Sequence, residues 1–297
     1  MALARELQNK VAPEPQPAKR KRSKWRAVWR NKPLVIGGII VLLVLVAAVF
    51  APFLSHYGPN SVDTSSVLQP PGGKHWLGTD ELGRDEYARI LMGARTSMVV
   101  SVGSLIVGLV IGVPVGLISG FYRGFMDDWI IMRIVDAMQA FPFLILALVL
   151  AAMLGPGERN AMIAIGVGYV PIFVRIVRGQ VLGELEREFV SAARMIGASD
   201  WRIMWKHIFP NTLTPLIVQA TLAMASGIVA EASLSYLGLG AQPPTASWGT
   251  MLNTAQGYMG EATWLAIFPG VAIAIAVLGF NLLGDGLQRW LDPRRRH

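Results

Sequence analysis

The chain has 297 residues, 53% of them hydrophobic and 15% charged, with no cysteine, four histidines and a formal net charge of +8. Soluble domains carry roughly 25% charged residues, so this composition excludes an ordinary soluble globular protein. The missing thiols exclude disulfides, thiolate metal sites and a lipid-modified N-terminal cysteine, and His56, His75, His207 and His297 are too scattered for a metal-ligand spacing.

Residues 1–30, rich in Pro, Lys and Arg, read as a basic cytoplasmic segment. Trp25 and Trp29 interleave there with Lys24, Arg26 and Arg30, as in an interfacial membrane anchor. The positive excess sits at the chain ends, where anionic lipid attracts it, so no nucleic-acid partner is inferred. Residues 31–95 then divide into a first span and an extracytoplasmic segment. Leu34–Leu54 carries no charge and is too long for a cleaved leader, so it reads as an uncleaved transmembrane helix. The following Ser55–Arg95 has Pro59-Asn60 and Pro70-Pro71-Gly72-Gly73 turns. Its acidic cluster Asp80, Glu81, Asp85 and Glu86 does not match a calcium loop and reads as a solvated turn or docking face.

Residues 96–290 form the hydrophobic core of the chain. Thr96–Tyr122 and Ala262–Leu283 are charge-free and long enough to span. Trp129–Met153, Ala161–Val174 and Thr212–Leu239 complete a set of six transmembrane helices in an all-α membrane protein. Lipid leaves no backbone group a solvent partner, so the spans must be helical. Gly108, Gly112, Gly116, Gly120 and Gly124 recur every four residues, a stripe on one helix face through which two backbones can touch. Arg133 and Asp136, three apart on one face, are expected to pair, whereas Glu231 has no obvious local partner. Ten Lys and Arg precede Leu34, and the tail 291–297 ends in RRRH. Basic residues stay inside, so both termini are expected in the cytoplasm, in agreement with six spans.

Between the fourth and fifth spans lies a polar block, 184–210, whose part Glu188–Asn211 reads EFVSAARMIGASDWRIMWKHIFPN. Ser191, Ala192 and Ala193 give a small-residue face, and Gly197 suits the left-handed turn that ends a helix. Ser199 is then expected to cap a second short helix over about Asp200–His207, stopped by Pro210. No GxxxxGK[ST] loop, GxSxG elbow or HExxH helix occurs, so no enzymatic chemistry is expected.

The 184–210 block resembles the EAA loop of permease subunits in ABC importers. Five stretches extend the likeness: WLGTDELGRD at Trp76–Asp85, MRIVDAMQAFP at Met132–Pro142, the Glu188–Asn211 loop, EASLSYLGLGAQPPTASWG at Glu231–Gly249 and FNLLGDGLQRWLDP at Phe280–Pro293. Together they resemble the smaller of the two permease subunits of the peptide/nickel class, the dipeptide and oligopeptide type, over all but the first 30 residues or so.

The resemblance implies a MetI-like, six-helix permease core in the cell inner membrane. It implies a second homologous permease subunit, an extracytoplasmic binding protein, and two ATPase subunits that bind ATP and Mg; this chain itself would bind no cofactor. Peptides are the implied cargo, with nickel chelates, glutathione or another small solute as the alternative. Glu188, Ser191, Ala192, Ala193, Arg194, Gly197 and Pro210 would form the ATPase-coupling loop, with Ser191 standing where the family has glutamate. Arg133, Asp136 and Glu231 are candidate pathway or structural charges. A secondary transporter or channel, the competing class, would more often show broken helices around a midplane ion site and has no use for such a loop.

Overall fold

The computed structural model describes residues 31–291; the basic segment 1–30 and the RRRH tail lie outside the described residues. Among the described residues the regular structure is helical. The elements are α1 (Lys32–Leu54), α2 (Glu86–Tyr122), α3 (Met126–Gln139), α4 (Phe143–Leu154), α5 (Glu158–Leu185), α6 (Glu188–Met195), α7 (Asp200–Tyr236), α8 (Trp248–Gln256) and α9 (Trp264–Leu291).

Five of these helices, α1, α2, α5, α7 and α9, are long and apolar enough to cross a bilayer unaided. The sixth crossing expected from the sequence is not one straight rod: α3 and α4 meet at 96° across the break before Phe143. Pro142 causes the break, because it has no N–H to give and its ring disfavours helical geometry at Phe141. Counted as one broken span, the pair brings the total to six.

The centre of the bundle is the α2–α5 contact, and the glycine stripe makes it. A Cβ on Gly108 would stand 2.6 Å from the Tyr169 Cβ, and on Gly112 2.7 Å from the Phe173 Cβ. On Gly116 it would meet the Val177 Cβ at 2.9 Å, and on Gly120 the Val181 Cβ at 2.8 Å. Without side chains on α2, the fully buried Phe173, Val177 and Val181 lie directly on its backbone. In lipid such close packing, more than hydrophobicity, holds helices together. Gly124 does not continue the stripe: it lies beyond the end of α2, where an added Cβ would meet nothing within 4 Å. The helix also starts earlier than its charge-free run suggests, so a boundary at residue 95 falls inside it. Asp85 sets that start, its carboxylate accepting from the Ala88 N–H at 2.8 Å.

α1 packs along α9 through Gly37, which touches the Leu283 backbone, and Gly279, where a Cβ would lie 2.6 Å from Ile40. At the end of the bundle holding residues 55–85, α8 is fixed by a capping box between Ser247 and Thr250. The Trp248 indole N–H, just inside α8, donates to the Ile90 carbonyl at 3.1 Å.

Candidate functional site

The 184–210 block stands at the opposite end of the bundle. α6 ends in a Schellman turn: Gly197 N–H donates to Arg194 O at 3.0 Å and Ala198 N–H to Ala193 O at 3.0 Å. Gly197 has φ +78, a left-handed conformation that strains any residue with a Cβ. The turn lifts Met195 and Ile196 away from the bundle, each 85% exposed, and Trp201 at the start of α7 is also exposed. Glu188, Ser191, Ala192, Arg194 and Pro210 are exposed as well.

Ala193 is not on that free surface. It is buried with Val190 on the inner face of α6, in the same apolar cluster as Ile203, Met204 and Ile208. The small-residue face therefore splits, with Ala193 seating the loop on the bundle and Ala192 facing out. Arg194 lies over the Phe121 ring at 5.9 Å, tying the loop to the end of α2. The sequence reading missed Met195, Ile196 and Trp201; three apolar residues flanking a glycine turn in a polar block were the available signal.

Two expectations about the second half of the loop are corrected. Ser199 occupies the N-cap position in extended geometry, but its side chain makes no capping bond. Pro210 does not stop the short helix, which runs on into the next span as the single α7. Pro210 lacks an N–H, and its ring would strike a carbonyl one turn back. The chain relieves this by widening Ile203–Ile208 into a π-turn, with Phe209 N–H donating to Met204 O.

The charges singled out in the sequence also find other partners than expected. Asp136 pairs with Arg175 of α5 at 2.6 Å, not with Arg133, whose guanidinium sits 5.4 Å from the Trp129 ring centroid. One turn along α5, Arg178 grips the buried Asp127 through Nη2 at 2.6 Å, and Asp127 also accepts from the Ser119 hydroxyl of α2. A π-turn at Met126–Ile131 turns Asp127 inward. Glu231, buried in α7, has partners after all: Ser97 of α2 donates to it at 2.6 Å and Ser235 at 2.7 Å. Ser235 in turn accepts from the Ala241 N–H at 3.2 Å, so the carboxyl anchors the turn that follows α7.

The acidic cluster of the 55–85 segment is not a solvated turn. Asp80, Asp85 and Glu86 are buried, and Asp80 takes Arg84 at 2.6 Å and Arg89 at 3.3 Å. His75 Nδ1 lies 2.8 Å from Asp85, joining the α2 cap to the turn before it. At the rim, hydrogen bonds from Ser65 and Ser66 hold the Asp63 carboxyl well below the usual carboxylate range. Among the described residues no group of three or more His, Asp or Glu is placed to hold a metal ion.

The chain is similar to known proteins along most of its length. Residues 112–297 match the family described as binding-protein-dependent transport system inner membrane component, and residues 22–71 match the N-terminal TM domain of oligopeptide transport permease C. The chain is 46% identical to the dipeptide transport system permease protein DppC of Escherichia coli strain K12, covering 98% of this chain and 99% of that one. It is 42% identical to a protein of the same description from Alkalihalophilus pseudofirmus, over 92% of this chain and 91% of that one. Among solved structures, the inward-facing MetNI methionine ABC transporter shares the fold with a TM-score of 0.57 and 23% identity, covering 68% of this chain and 95% of the matched chain. A broken six-span bundle with a glycine-turned loop at one end, and this likeness along nearly its whole length, make the chain a member of the binding-protein-dependent transport system inner membrane component family, the permease subunits of ABC importers.

Proposed function

We propose that this chain is the smaller permease subunit of a peptide importer, forming half of the pathway for di- or oligopeptides handed over by an extracytoplasmic binding protein. The second half comes from a homologous permease, and two separate ATPase subunits bind ATP and Mg and supply the work. Both termini and the 184–210 loop lie in the cytoplasm of a cell whose inner membrane holds the complex. The peptide assignment draws on the relatives described as dipeptide permeases.

The observation that carries the coupling role is the apolar tip Met195–Ile196 with Trp201, left open on a rigid turn at the loop's outer face. Large exposed hydrophobic side chains grouped on an otherwise polar surface mark a contact site. Movement of an ATPase groove would be felt there, and a packed bundle answers such a push by rigid-body rotation. The test is uptake of labelled di- and tripeptides by liposomes containing the complete complex, with binding protein and ATP present or omitted. Accumulation that requires both supports the reading. Uptake of a nickel chelate or glutathione without peptide uptake would reassign the cargo, and uptake without ATP would remove the importer class.

A further inference from the structure

Near the N-terminal end of α2, a cleft opens between α2, the start of α5 and the loops at residues 59–60 and 245–246, lined by Asn60, Arg95, Thr96, Val99, Glu158 and Thr245. It holds one cation and one anion, and among the described residues neither Arg95 nor Glu158 makes an ion pair. Directly below Arg95 on α2 stand Val99, Val102, Ile106 and Val110, all exposed. Steps of four, three, four and four residues keep all five on one helix face. From Val99 to Val110 the stripe runs about 16 Å at 1.5 Å per residue. One leaflet of a roughly 30 Å hydrocarbon core is about as deep.

We propose that this cleft and stripe bind one phospholipid with an ammonium-bearing zwitterionic headgroup, of the phosphatidylethanolamine type. The Arg95 guanidinium takes the phosphate, for which its planar fork of donors is suited. The primary ammonium donates to the Glu158 carboxylate, and an acyl chain lies along Val99–Val110. An unpaired arginine at the top of an apolar face is the usual meeting point of a membrane helix with the headgroup layer. The neighbouring glutamate adds selectivity: a primary ammonium has protons to give a carboxylate, whereas a quaternary choline has none. A zwitterionic peptide offers the same two charges, but it has no chain to cover the stripe.

The experiment takes the full-length chain in its membrane complex, strips it of lipid, and titrates it with phosphatidylethanolamine, phosphatidylcholine and phosphatidylglycerol of matched acyl chains. Retention is read by native mass spectrometry. Wild type should hold one phosphatidylethanolamine about tenfold more tightly than phosphatidylcholine, as expected for one charge-assisted hydrogen bond. Glu158→Gln should abolish that preference while still binding both lipids. Arg95→Gln should weaken both, and Arg95→Lys should restore part of the binding; unchanged unfolding temperatures would show that these variants fold. Equal binding of all three lipids by wild type would overturn the proposal, as would a retained preference in Glu158→Gln. Displacement of the lipid by a dipeptide, or equal binding of glycerophosphoethanolamine without acyl chains, would assign the cleft to a soluble zwitterion instead. Absence of any bound lipid on the wild-type complex would overturn the proposal and make the stripe an interface with the second permease.

Discussion

Gly112 of α2 and Phe173 of α5 lie in backbone-to-side-chain contact, with space for a hydrogen but not a methyl between them: a Cβ on Gly112 would be 2.7 Å from that of Phe173 and 3.0 Å from the Val170 carbonyl. Replacing Gly112 or Gly116 by leucine should therefore force α2 and α5 apart. By analogy with overpacked cores the cost is about 1–3 kcal/mol. Thermal unfolding in detergent checks this, with Ile118→Leu on the exposed side of α2 as the control. Equal losses at Gly112 and Ile118 would count against a dedicated packing face.

Asp127→Asn should be the most damaging polar substitution near the 184–210 end. It leaves the Arg178 guanidinium facing a neutral group in a half-buried site, and it alters the acceptor that Ser119 uses. Asp128, 3.6 Å from Arg178, replaces part of the lost attraction. The expected loss is about 1–3 kcal/mol. Asp136→Asn, breaking the exposed pair with Arg175, should cost less, about 0–1 kcal/mol. A reversed order in unfolding measurements would refute this ranking.

At Glu231 the identity of the replacement matters. Alanine leaves the hydroxyls of Ser97 and Ser235 without their acceptor in a dry site, with a loss of about 1–3 kcal/mol. Glutamine keeps one carbonyl oxygen and should lose less. Stability that falls equally in both variants would mean that the charge, not the hydrogen bonds, is what Glu231 supplies.

Gly197→Val should strain the Schellman turn, since a β-branched residue at φ +78 is a steric outlier. The apolar tip at Met195–Ile196 would be re-aimed. In liposomes containing the complete complex, ATP hydrolysis should persist with uptake lost, or both should fail if docking fails. Wild-type uptake at wild-type coupling would show that this loop does not transmit the power stroke.

Orientation is testable because the chain has no cysteine. Single cysteines at Ser61 and Ser199, both exposed, should be labelled by an impermeant thiol reagent on intact cells at Ser61 alone. Labelling at Ser199 without labelling at Ser61 would invert the topology.

What a reader of the sequence can see is what local spacing encodes. Glycines four apart must share a face of α2, and a glycine after EFVSAARMI has the backbone freedom a helix terminus needs. Pairings across the bundle are not encoded that way. Arg133 lies three residues from Asp136 and was the natural partner, yet Arg175, 39 residues away, takes the carboxylate. Ser97 reaches Glu231 across 134 residues. Pro142 and Pro210 show why punctuation misleads. Both remove a donor, but the first bends its span by 96° while the second is absorbed by one widened turn.

That widened turn has a mechanical consequence. Because α7 is unbroken from Asp200 to Tyr236, Trp201 and Glu231 belong to one rod, about 45 Å apart at 1.5 Å per residue. The span stays helical through the π-turn, Pro210 and Pro215 that lie between them, so a load applied at the indole is carried to the serine-held carboxyl and the turn it anchors. For such a rod, a tilt of about 5° about its middle shifts each end by roughly 2 Å in opposite directions. Displacements of that size are what packed helices tolerate while sliding. A proline that reads as a stop therefore sits in the shaft of a lever reaching from one face of the membrane to the other.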